Sequence, residues 1–137
     1  MVKVIIGKKG SGKTKMLIDM VNHAVEADHG SIVCIEAGRS LTYDIKYEAR
    51  LIDICEYPLA PGADSLFAFI CAVYAQNFDV THIFIDSLQK AARTDDMAEL
   101  ERFVKQIDAF GEEHNIQFTV MLSCEKDEAE AHLAKYL

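Results

Sequence analysis

Eight residues, Gly7-Lys8-Lys9-Gly10-Ser11-Gly12-Lys13-Thr14, fit the pattern GxxxxGK[ST] and are the strongest chemical signal in the chain. They follow the apolar run Val2–Ile6 and precede a helix-period segment starting at Lys13, the context in which this phosphate-binding loop works. Glycines let the backbone turn with its N–H groups pointing inward. The start of the following helix adds partial positive charge, so the loop is a nest for anions. Lys13 is placed to reach the β- and γ-phosphates of a nucleotide, and the Thr14 hydroxyl to take one position on a bridging Mg²⁺. Lys8 and Lys9 add charge at the rim. The competing reading is a glycine-rich turn with no ligand.

Three further apolar runs end in a polar residue: Ile32–Ile35 in Glu36, His82–Ile85 in Asp86 and Ile116–Leu122 in Ser123. In a parallel sheet those residues come to the edge that carries the loop. Asp86 fits the Walker B pattern, an acid at the end of an apolar strand that holds Mg²⁺; the competing role is capping of the next turn. Ser87 follows where many ATPases of this kind carry a catalytic Glu, so the base must come from elsewhere.

The elements that must position these residues alternate strand and helix. Strands are expected at 2–6, 32–35, 51–57, 80–86 and 116–122, the one at 51–57 nearer the sheet edge. Helices are expected from Lys13 to about Ala27, with Met16, Leu17, Met20, Val21 and Ala24 facing the sheet, and from Ser40 to about Arg50. Others are expected over 65–76 with Asp64 or Ser65 as cap, from Asp95 or Asp96 to His114, and over 127–137. Residues 87–94 form a loop or helical turn. Such alternation calls for an α/β fold: a mostly parallel sheet of about five strands with helices on both faces. The 65–76 helix is apolar almost all round, so it is either covered on more than one side or offers a face to a partner or a second copy.

At 137 residues the chain suits one domain. A net charge of −8 argues against general affinity for nucleic acid or anionic membrane. Cys34, Cys55, Cys71 and Cys124 form no CxxC pair and read as buried free thiols of a reducing compartment; with no leader or membrane span expected, the address is the cytoplasm. His82 lies mid-strand and the other histidines are scattered singly, without zinc-ligand spacing.

In element order, residues 1–124 resemble the RecA-like branch of the P-loop ATPases, which often writes Walker B as apolar-Asp-Ser, as Ile83-Phe84-Ile85-Asp86-Ser87 is here. The resemblance implies a three-layer P-loop NTPase that binds ATP and Mg²⁺. It makes Glu36, at the end of the strand after the loop helix, the residue that orients and deprotonates the attacking water, against the alternative of a surface Glu in a turn. It makes Ser123 the polar sensor of the γ-phosphate. The branch usually completes its site with an arginine from a neighbouring subunit; of Arg39, Arg50, Arg93 and Arg102, Arg93 with Lys90 is the best placed, a solvated surface role being the alternative. The extra domains and long DNA-binding loops of recombinases are lacking, so strand exchange is not expected. The chain also looks like small bacterial P-loop proteins labelled twitching-motility ATPases, although motors of that kind carry a separate N-terminal domain. No NKxD guanine-reading motif occurs, which favours ATP by default. The expected function is slow Mg²⁺-dependent ATP hydrolysis. The competing classes are a nucleotide-gated binding module and a small phosphotransferase, the latter disfavoured by four scattered arginines and no lid.

Overall fold

The computed structural model describes residues 1–8, 10–27, 30–39, 41 and 44–137. Five strands, β1 (Val2–Gly7), β2 (Ser31–Glu36), β3 (Arg50–Asp53), β4 (Val80–Ile85) and β5 (Gln117–Ser123), form one sheet in the order β1-β5-β4-β2-β3. Every pairing is parallel. The runs of Val and Ile suit strands covered on both faces, and alternation divides them between two cores. Val33, Ile35, Ile83, Ile85, Val120 and Leu122 belong to one cluster, and Ile32, Cys34, Phe84 and Met121 to the other.

Helix α1 (Lys13–Ala27) closes the second cluster with Leu17, Val21 and Ala24, joined by Leu41, Ile45 and Ala49. The opposite face is covered by α2 (Ala63–Gln76), α3 (Leu88–Ala92), α4 (Met97–His114) and α5 (Lys126–Leu133). The arrangement is α/β, with helices on both faces of a five-stranded parallel sheet, as expected. No helix among the described residues is long and apolar enough to cross a membrane.

Several boundaries differ from expectation, each for a local reason. Met16 is 48% exposed, because Leu17 takes the sheet-facing position in the first turn of α1. No helix forms over 44–49: the Asn22 side chain donates to Asp44 O and accepts from Lys46 N–H, and these bonds hold the segment as turns on α1. Its expected cap, Ser40, lies outside the described residues. The edge strand β3 stops at Asp53, whose carboxylate accepts from Cys55 N–H and starts a 3₁₀ turn over Ile54–Glu56. Cys55 thereby leaves the sheet and is exposed. Only Cys34 is buried; Cys71 and Cys124 are partly so, and all four are free. Helix α2 starts at Ala63 after Gly62 (φ 122°), and neither Asp64 nor Ser65 is its cap. The first N–H is taken instead by Glu99 of α4, at 3.0 Å.

Helix α2 is mostly core. Leu66 and Ile70 are buried, Phe67, Phe69, Val73 and Tyr74 pack against the cluster, and Phe67 and Tyr74 meet Phe110 of α4 edge-on. Its exposed positions are Asp64, Ala68, Ala72, Ala75 and Gln76. His82 stacks on Phe84, with ring centroids 3.9 Å apart, and hydrogen-bonds Thr119.

Candidate functional site

Side chains at 5, 34, 84 and 121 point toward α1, so two residues further on Gly7, Glu36, Asp86 and Ser123 lie on that same face at the carboxyl edge. Register brings them into a row. Gly7 of β1 pairs with Ser123 of β5. Asp86 N–H donates to Ile35 O at 2.9 Å, which sets Asp86 beside Glu36, and Glu36 pairs with Asp53 of β3. Because β5 runs between β1 and β4, Ser123 sits between the Gly7–Thr14 loop and Asp86.

The loop connects β1 to α1, and two of its glycines have left-handed backbones, Gly10 at φ 84° and Gly12 at φ 87°. At Gly7 a Cβ would lie 2.5 Å from Ser11 Oγ, so a larger residue would force the Ser11 hydroxyl to turn away from its place in the loop. Lys13 turns back over the loop and donates to Gly7 O and Lys8 O, both at 2.8 Å. These carbonyls hold the ammonium over the mouth of the loop, where an incoming anion would compete for it. Thr14 is exposed in the first turn of α1, and Lys8 reaches Glu125 at 3.6 Å. Lys9 lies outside the described residues.

Burial pushes the Asp86 carboxyl above the ordinary aspartate range, and the charges of Lys90 and Lys13 oppose the shift. Lys13 and Asp86 therefore share one electrostatic environment. Burial also pushes the Cys34 thiol up, with Asp86 and Glu36 adding to the shift, so both acids act on the layer directly beneath them. Ser87, directly after Asp86, has a left-handed backbone (φ 55°), a costly conformation for serine that turns the chain sharply into α3. A hydroxyl at Thr14 and one carboxylate at Asp86 are hard oxygen donors, suited to Mg²⁺ that keeps its waters and takes phosphate oxygens. Among the described residues no three His, Cys, Asp or Glu converge as a metal cage, and such a Mg²⁺ needs none.

Glu36 differs most from its expected setting. It is 1% exposed, not a surface residue, and its carboxylate accepts from Leu41 N–H at 3.2 Å. Arg93 is exposed at the end of α3 and lines a small cavity with Lys90 on the α2 side.

Two residues at this edge escaped the sequence reading. Gln89 of α3 donates from Nε2 to Ser123 O at 2.6 Å and accepts from Ser123 N–H at 3.3 Å, clamping the tip of β5 to the helix that follows Asp86. Asp53 accepts from Gly38 N–H at 2.9 Å and Cys55 N–H at 3.0 Å and pairs with Arg39; the Gly38 bond first, then the Cys55 bond and the Arg39 charge, hold its carboxyl below the ordinary range. Asp53 fell inside the strand expected at 51–57 and Gln89 inside the turn expected at 87–94, so neither stood at an expected strand end; both roles depend on which strands are neighbours. No protein-family model matches the chain, and no curated protein matches it significantly.

Proposed function

We propose that this chain is a RecA-like P-loop NTPase that binds ATP with Mg²⁺ and hydrolyses it slowly. The observation that carries the reading is the row at the carboxyl edge: a strand–loop–helix with Lys13 over its mouth, aligned on one face with Ser123, Asp86 and Glu36. Lys13 and the loop N–H groups bind the phosphates, and Thr14 and Asp86 hold the metal. Mg-ATP supplies an activated phosphoryl group. Glu36 accepts the proton of an attacking water, and Ser123 contacts the γ-phosphate. Lys8, Gly10, Ser11 and Gly12 complete the cradle, with Lys9 assigned from the sequence alone.

A second reading is a nucleotide-gated module without significant hydrolysis. The burial of Glu36 favours it, because a carboxylate 1% exposed and bonded through one oxygen to Leu41 N–H must first gain access to a water before it acts as a base. In that case Leu41, bonded to Glu36, is the moving part, and a partner or second copy reads its position.

The two readings share binding, so binding is tested first. Titration of wild type with Mg-ATP is expected to give saturable affinity that Lys13→Ala weakens by about 100-fold or more, the scale of losing a charge-assisted phosphate contact in a closed loop. Equal affinity in the two proteins would remove the proposal.

A further inference from the structure

Met16 is exposed although the sequence placed it in the core, and its surroundings point to what covers it. A shallow groove of about 490 Å³ runs along the outer face of α1, lined by Gly12, Lys15, Met16, Asp19, Met20 and His23. It begins at Gly12, a residue of the phosphate loop itself. Met16 and Met20 lie about 6 and 12 Å further along the helix axis at 1.5 Å per residue, on the row that starts at Gly12. An α-phosphate and a ribose span such an interval.

We infer that Met16 and Met20 form the seat of the nucleobase, held by thioether–ring and apolar contact and not by its hydrogen-bonding edge. This rests on the nucleotide reading above and deepens it. Methionine suits the task, since its polarisable sulfur packs against aromatic rings and its unbranched chain adapts to different ring shapes. The polar groups nearby are poor readers of an edge. Asp19 is exposed and paired with Lys15 at 3.8 Å, and His23 is exposed at the far end. Exposed groups that water can satisfy discriminate weakly, whereas strong rejection of a wrong ligand requires buried polar groups left unpaired. The substrate class is thus a nucleoside triphosphate with little preference among bases. The lack of a guanine-reading motif leaves GTP accepted, not excluded.

The test uses affinities of the full chain for Mg-ATP, Mg-GTP and Mg-tripolyphosphate, the last having the phosphates without a base. Wild type is expected to bind ATP and GTP within about tenfold of each other and both more tightly than tripolyphosphate. Met16→Ala and Met16→Ser, neutral changes at a surface position, are expected to weaken ATP and GTP roughly threefold to tenfold, the range of a methionine–aromatic contact. Both should leave tripolyphosphate within twofold, and Met20→Ala should act in the same direction. Two results overturn the seat: ATP affinity unchanged in all three variants, or tripolyphosphate weakened as much as ATP. A wild type that binds none of the three overturns the nucleotide reading, and the seat with it.

Discussion

Lys13 and Asp86 bring opposite charges into one corner, and their environments differ in a way that predicts how each responds to substitution. Lys13 is satisfied by two carbonyls at 2.8 Å, so Lys13→Ala removes a phosphate contact while leaving the fold intact. Its thermal midpoint is expected to stay within about 3 °C of wild type, a shift of under ~1 kcal/mol for a domain of this size, as unfolding followed by circular dichroism will show. Asp86 is the reverse case. Its carboxyl is pushed up by burial, so the folded protein carries an ionised group at a cost. Asp86→Asn removes that cost, and the expected outcome is a higher melting temperature together with loss of Mg²⁺-dependent nucleotide binding. A lower melting temperature would mean that the carboxylate stabilises the edge in its own right.

At the scale of elements, Gln89 ties α3 to the tip of β5 through both backbone polar groups of Ser123. It is a positioning residue: it fixes where Ser123 stands relative to Asp86. Gln89→Ala is expected to lower phosphate release roughly tenfold, about 1.4 kcal/mol in the barrier, with Mg-ATP affinity within twofold. Gln89→Glu, which keeps the acceptor but not the donor, should fall between. A loss of affinity equal to the loss of rate would assign Gln89 to folding instead. Asp53 closes the other end of the row, capping the 3₁₀ turn and holding Gly38. Asp53→Ala is expected to cost about 1 kcal/mol, the typical value of a lost side-chain cap. Because its folded pKa lies below the unfolded value, the ionised group stabilises the fold at neutral pH, and that contribution fades as pH falls below about 4. Wild type should therefore lose stability faster than Asp53→Ala on acidification, as denaturant midpoints at pH 7 and pH 3 will show.

Across the molecule, the strand–helix alternation was legible in the sequence because the signals are local: strands at 2–6 and 80–86, helical spacing through Leu17, Val21 and Ala24, and Asp95 or Asp96 as the cap of α4, of which Asp96 serves. What was not legible depends on neighbours distant in sequence. The cap of α2 comes from Glu99, and 44–49 forms turns because Asn22 takes its backbone groups. Met16 and Leu17 look equivalent until the sheet chooses between them. The row of Gly7, Ser123, Asp86 and Glu36 follows the same division. Each member was visible at the end of its own strand, but the order that seats β5 between β1 and β4 was not, and with it went the roles of Gln89 and Asp53.

Phosphate release from Mg-ATP by wild type and Glu36→Gln, at matched saturation, tests most directly whether this edge cleaves a phosphoanhydride. Wild type is expected to turn over slowly, with a fall of about 100-fold or more in Glu36→Gln and ATP affinity within a few-fold in both, the pattern of a lost general base. Equal phosphate release from the two proteins, or none from wild type at saturating ATP, would contradict it and leave Glu36 as the buried anchor of Leu41.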